Sequence, residues 1–97
     1  KLNQIENGIA SLPKRSGPRH FTFNNDGSKL YVINELGSLI TVFDIDDNQG
    51  LKLIQTLTTK KDSMIENNYC ADLHLSSDGK FLYGSNRGEN NIVTYRV

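Results

Sequence analysis

Five side chains in this 97-residue sequence have the types needed to hold an anion and move protons beside it: Arg19, His20, Glu35, His74 and Arg87. An arginine offers a planar fork of donors that matches a carboxylate or phosphate, and two of them can fix an anionic compound. A histidine can pass protons near neutral pH, and a glutamate can orient it or activate water. The same cationic donors can stabilise the oxyanion that forms when a carbonyl becomes tetrahedral. Other chemistries find less support. His20, Glu35, Asp72 and His74 lack tight metal-ligand spacing. Ser16 and Ser85 have neither a nucleophile elbow nor a base paired in sequence. Gly84–Gly88 lacks the Gly-Lys-Ser/Thr ending of a phosphate loop. The expected chemistry uses no metal and no organic cofactor.

Each candidate also has a plainer role. Glu35 beside a glycine turn is commonly a solvated loop charge, and a strand histidine such as His20 or His74 is commonly a hydrogen-bonded structural imidazole. Asp26 and Asp78 read as turn formers, because an Asp side chain satisfies nearby backbone donors. Tyr31, Tyr83 and Tyr95 read as packing residues with one wet end. Cys70 reads as a small buried side chain.

What lifts the charges above these roles is a repeat. Arg19–Phe43 and Ala71–Tyr95 align without a gap at an offset of 52 residues. Asp26/Asp78, Gly27/Gly79, Leu30/Leu82, Tyr31/Tyr83, Asn34/Asn86 and Ile40/Ile92 are identical, and Phe21/Leu73, Phe23/Leu75 and Phe43/Tyr95 keep apolar character. A period of this size marks units that bury their cores against their neighbours. Within the preserved frame, Glu35 stands where the second copy has Arg87.

Composition narrows the setting. Eleven basic and eleven acidic residues cancel, and no basic run exceeds Lys14-Arg15 or Lys60-Lys61, so nucleic acid and membrane surfaces are not expected partners. No apolar stretch is long enough to span a bilayer as a helix. The single cysteine rules out an internal disulfide and suits a reducing, cytoplasmic compartment. The opening KLNQIENGIASLP has no initiating Met and no signal-peptide core, which points to a piece of a longer chain.

The pattern predicts an all-β chain of short antiparallel strands. His20–Phe23 and Lys29–Ile33 flank an Asp-Gly turn, followed by Leu39–Asp44, a polar loop at 46–50, and Leu51–Thr58. The second unit repeats Asp72–Leu75, Lys80–Ser85 and Asn91–Val97, then stops without a fourth strand. Four-stranded units at this spacing are the pattern of propeller blades; a free-standing sandwich is the alternative. The expected layout is a linker or end of a preceding blade over 1–16, a first blade over 17–58, an excursion over 59–70 and an incomplete second blade over 71–97. Residues 7–12 are the best candidate for a further strand. No helix is expected.

Hairpin geometry then predicts where the charges meet. With the turn closed over 24–28, His20 falls opposite Val32 and Arg19 opposite Ile33, so Glu35 lies beside Arg19 at the rim away from the Asp-Gly turn. Arg87 reaches the matching rim of the second unit, with His74 a few residues away. Adjacent blades bring the two rims together, so all five side chains are expected around one cleft.

At these residues the chain resembles the lactonase-type seven-bladed propeller family, which includes bacterial 6-phosphogluconolactonase and fungal carboxymuconate cyclase. The matching segments are Gly17-Pro18-Arg19-His20-Phe21, Tyr31–Leu36, Ala71–Gly79 and Ser85-Asn86-Arg87-Gly88. The resemblance implies about two blades of seven and a cleft that acts on small lactones. It places the family's site residues at Arg19, Glu35 and Arg87, with His20 and His74 at further motif positions. It implies hydrolysis of an anionic sugar lactone such as 6-phosphogluconolactone, with a muconate cyclase or a non-catalytic propeller binding a sugar acid or protein as alternatives. The partners implied are the remaining blades, and a tendency of the isolated piece to self-associate through uncovered blade faces follows.

Overall fold

A computed structural model describes the chain apart from Asn7, Asn48, Gln49 and Ser63. Among the described residues, seven strands form two antiparallel sheets in simple sequential order. The first holds β1 (Pro18–Phe23), β2 (Lys29–Asn34), β3 (Leu39–Asp46) and β4 (Gly50–Thr58); the second holds β5 (Tyr69–Leu75), β6 (Phe81–Arg87) and β7 (Asn91–Arg96). No helix occurs among the described residues. The two sheets are a four-stranded blade and a three-stranded blade, as the repeat predicts.

Both first hairpins close by the same chemistry. The Asp26 carboxylate accepts the Ser28 amide and the Asp78 carboxylate accepts the Lys80 amide. Gly27 and Gly79 each take φ of 74°, a left-handed conformation that costs glycine nothing. These hydrogen bonds, led in each case by a neighbouring serine (Ser28 or Ser76), hold both carboxyls below their usual range.

The turn is one residue wider than the sequence suggests. Asn24 pairs with Lys29, donating its amide to the Lys29 carbonyl and accepting the Lys29 amide on its side-chain oxygen. His20 therefore pairs with Ile33 and Phe21 with Val32, one step from the expected register. A bulge at Arg19 resets the count, so Pro18 pairs with Asn34. Strand ends also move: β5 begins at Tyr69 inside the expected excursion, β6 runs on to Arg87, and β3 runs on to Asp46. No strand forms over residues 8–12; Asn7 lies outside the described residues.

One core joins the blades. Tyr31, Ile33, Ile40 and Val42 of the first pack against Cys70, Leu73 and Leu82 of the second. Ile33 and Ile40 are wholly buried, and Gly84 makes room for them, since a Cβ there would lie 3.1 Å from the Ile33 Cδ1. Tyr95 closes the seam by donating its hydroxyl to the Thr58 carbonyl, and burial pushes its phenol up to about 12. The other face of the first blade carries Leu30, Val32 and Phe43, partly covered by Ala10 and Leu12. Phe21 and Phe23 extend that face edge-to-face and stay largely exposed.

Candidate functional site

The packing of β5 against β1 and β2 sets the rims of the two blades side by side. Glu35 follows β2 directly, and its backbone is fixed at both ends. Its amide donates to the Gly17 carbonyl at 2.8 Å, and its carbonyl accepts the Cys70 amide at 3.1 Å. The second bond crosses between blades, so the Glu35 turn is tied to the start of β5.

Glu35 and Arg87, the divergent pair of the repeat, meet. Arg87 Nη2 donates to Glu35 Oε1 at 2.8 Å, and the same nitrogen lies 3.3 Å from the Cys70 carbonyl. On the other side, Arg19 Nε stands 3.7 Å from Glu35 Oε2 while its Nη1 donates to the Ala71 carbonyl at 2.8 Å. The β-bulge at Arg19 releases that residue from regular pairing and aims it across the seam. One carboxylate thus sits between two guanidiniums, each anchored to a backbone carbonyl of β5. All three side chains remain partly open, at 37% for Arg19, 35% for Glu35 and 53% for Arg87. Arg19 Nη2 and Arg87 Nη1 have no partner among the described residues, so donors are left over for an anion.

The histidines are placed differently. His20 is exposed on β1, one residue beyond the bulge and opposite Ile33. His74 is not part of the cluster. It pairs with Tyr83 near the Asp-Gly end of β5, far from the Tyr69–Arg87 rim, and alternation with buried Leu73 turns it away from the first blade. Its Nε2 lies 2.9 Å from Asp72 Oδ2. That hydrogen bond, with the Leu73 amide and more weakly the charges of His74 and His20, keeps the Asp72 carboxyl below its usual range. The sequence misplaced His74 because β5 starts three residues earlier than the alternation showed. Among the described residues no three His, Cys, Asp or Glu side chains converge as a metal site.

Beneath the rim lies a polar layer that the sequence did not reveal. Asn68, Asn86, Ser38 and Thr59 are buried, and Cys70 is wholly so. Asn86 donates to the Thr59 carbonyl and to Asn91 Oδ1, and accepts from Asn68 Nδ2. The Cys70 thiol rests 3.1 Å from Thr59 Oγ1, and burial pushes its pKa up, against the use of this thiol as a nucleophile. A buried polar set of this kind is stable only when its members are paired, and these are.

Two antiparallel blades sharing one core, with their first strands adjacent, define a segment of β-propeller. The whole chain, residues 1–97, matches the family described as lactonase, 7-bladed beta-propeller. The chain belongs to that family. It is 41% identical over 110 residues to a 6-phosphogluconolactonase of Formosa agariphila and 33% identical over 99 residues to one of Buchnera aphidicola. These alignments cover 100% and 99% of this chain but 30% of each relative, so the chain spans under a third of their length. Among solved structures, the periplasmic gluconolactonase PpgL of Pseudomonas aeruginosa superposes with a TM-score of 0.84 at 37% identity, over 91% of this chain and 24% of that one.

Proposed function

We propose that the protein containing this chain hydrolyses an anionic sugar lactone, of the kind 6-phosphogluconolactone represents, to the open sugar acid. The observation that carries this reading is the Arg19–Glu35–Arg87 cluster at the joined rims, in a chain of the lactonase family. The two guanidiniums bind the anionic group and polarise the ring carbonyl, so that charge developing on its oxygen meets fixed positive donors. Glu35, held by its ion pairs and backbone bonds, orients or activates the attacking water, and His20 on the adjoining strand is the imidazole proposed to share proton transfer. Water adds to the carbonyl carbon, the ring C–O bond breaks, and the ring oxygen takes up a proton as the carboxylic acid forms and ionises.

The remaining blades are proposed to cover Phe21 and Phe23 on one end and Tyr83 and Ile92 on the other, all exposed in this chain. The chain alone is expected to be inactive and to associate through those faces. The test is turnover by the full-length protein of three substrates side by side: a phosphorylated sugar lactone, its uncharged counterpart and a cis,cis-muconate. Faster turnover of the charged lactone is expected. Turnover of the muconate alone would reassign the reaction to a cyclase, and binding without turnover would make the propeller a receptor for a sugar acid.

A further inference from the structure

We propose that Asn68 is a positioning residue of this site, joining the turn that carries Glu35 to the turn that carries Arg87. Asn68 is buried at the end of the excursion between the blades, two residues before the backbone that both turns touch. It reaches the Glu35 turn through Ser38: Ser38 Oγ donates to the Asn68 carbonyl at 3.1 Å, and Asn68 Nδ2 donates back to Ser38 Oγ at 3.0 Å. It reaches the Arg87 turn from both sides. Nδ2 donates to Asn86 Oδ1 at 2.9 Å, just before Arg87, and Oδ1 accepts the Glu89 amide at 3.1 Å, two residues after it.

One amide therefore uses both of its polar atoms to bracket Arg87 and to bind the turn three residues beyond Glu35. Gly88 shows how closely the parts fit: a Cβ there would stand 2.3 Å from the Asn67 carbonyl oxygen and 2.8 Å from the Asn68 Cα. Arg87 itself is half open, and its ion pair alone is weak at such exposure. Its direction must come from the backbone on either side, where the last pair of the β5–β6 ladder, Tyr69 with Arg87, is reinforced by the bonds of Asn68 to Asn86 and Glu89. The matched position of the first copy has Ser16, whose hydroxyl turns to the Pro13 carbonyl. There the corresponding amide oxygen, Asn34 Oδ1, is buried without a partner among the described residues. The bracket is a property of the second blade's turn and goes with the arginine.

The catalytic half of this inference rests on the lactonase reading; the geometric half does not. The experiment compares Asn68→Ala, Ser38→Ala and Val42→Ala in the full-length protein. Val42 lies in the seam between blades, away from the rim, and serves as a control for lost stability. At temperatures where all three are folded, Asn68→Ala is expected to lower kcat/KM for the charged lactone about tenfold, with kcat falling as well as KM rising, as misaligned groups do. Ser38→Ala shifts both in the same direction by less, and Val42→Ala loses melting temperature with near-normal kcat/KM. A crystal structure of Asn68→Ala is expected to show Arg87 parted from Glu35. Unchanged Arg87–Glu35 contact, or kcat/KM equal to that of Val42→Ala, overturns the proposal. Should the wild type turn over no lactone, the lactonase reading fails and the crystal geometry alone decides the role of Asn68.

Discussion

The two rim turns of this chain share a frame and differ in what they present. Asn34-Glu35 and Asn86-Arg87 leave matched strands at matched heights, yet one carries an anion and the other a cation, 2.8 Å apart. Their supports differ too. The Glu35 turn lies beyond its strand and is held mainly by backbone bonds to Ser16, Gly17 and Cys70. Arg87 instead ends its strand paired with Tyr69, and the turn after it is held mainly by side chains, Asn68 and Asn86 above all. Repetition supplies two equivalent places at one mouth, and divergence at a single position in each makes them complementary.

The sharpest way to break this pairing is at the carboxylate. Glu35→Gln keeps shape and backbone bonds but removes the group proposed to handle water. Turnover in the full-length protein is expected to fall about 10²-fold, with little change in the urea unfolding midpoint. Loss of fold and activity together would show that Glu35 holds structure only.

Backbone substitutions separate the turns next. Gly88 takes φ of 133° against the Asn67–Asn68 backbone, while Gly27 takes φ of 74° facing open space. Gly88→Ala is expected to cost about 2–4 kcal/mol by denaturant unfolding and to displace Arg87. Gly27→Ala has only the left-handed conformation to oppose it, at about 1–2 kcal/mol, and is expected to leave turnover alone. Equal costs would mean that the tight contact at Gly88 relaxes easily.

The smallest effect belongs to pH. Glu89 in the second rim accepts the Lys61 and Asp62 amides of the excursion, and the matched residue of the first blade is Gly37, which has no such anchor. Those amides hold the Glu89 carboxyl below its ordinary 4.5. A depressed carboxylate contributes stability above that ordinary value and loses it as pH falls through the folded value. Amide exchange at Lys61 and Asp62 is therefore expected to quicken, beyond its normal pH dependence, as pH drops below about 4.5, and Glu89→Gln should remove the transition. Identical exchange profiles for the two proteins would leave the anchor without effect.

Much of this arrangement is visible in the residues. Ungapped duplication, Asp-Gly turns and period-two alternation define the strands, and the matched rims bring Glu35 to Arg87 because equivalent positions of adjacent units must lie together. What the residues hide is whatever depends on side chains choosing backbone partners. Asn24 captures Lys29, widens the turn and shifts the register by one, and the bulge at Arg19 corrects it. Tyr69 and Cys70 extend β5 out of phase with the alternation that follows, because a bulge between Cys70 and Leu73 lets both of those residues, three apart, pack inward, and this places His74 at the wrong end for the cluster. Asn68 lies in a stretch with no periodicity at all. Its importance comes from contacts to Ser38, Asn86 and Glu89, up to 30 residues away in sequence.

The most direct test of the account is acid release when fresh 6-phosphogluconolactone is added to the full-length protein, wild type beside Arg87→Ala, with spontaneous hydrolysis subtracted. Fast release by the wild type, cut at least tenfold by Arg87→Ala, is the expected result, since a lost oxyanion or anion donor costs about that much or more. Release by both proteins at the same rate, or by neither above background, would contradict the assignment of the joined rims as a lactonase site.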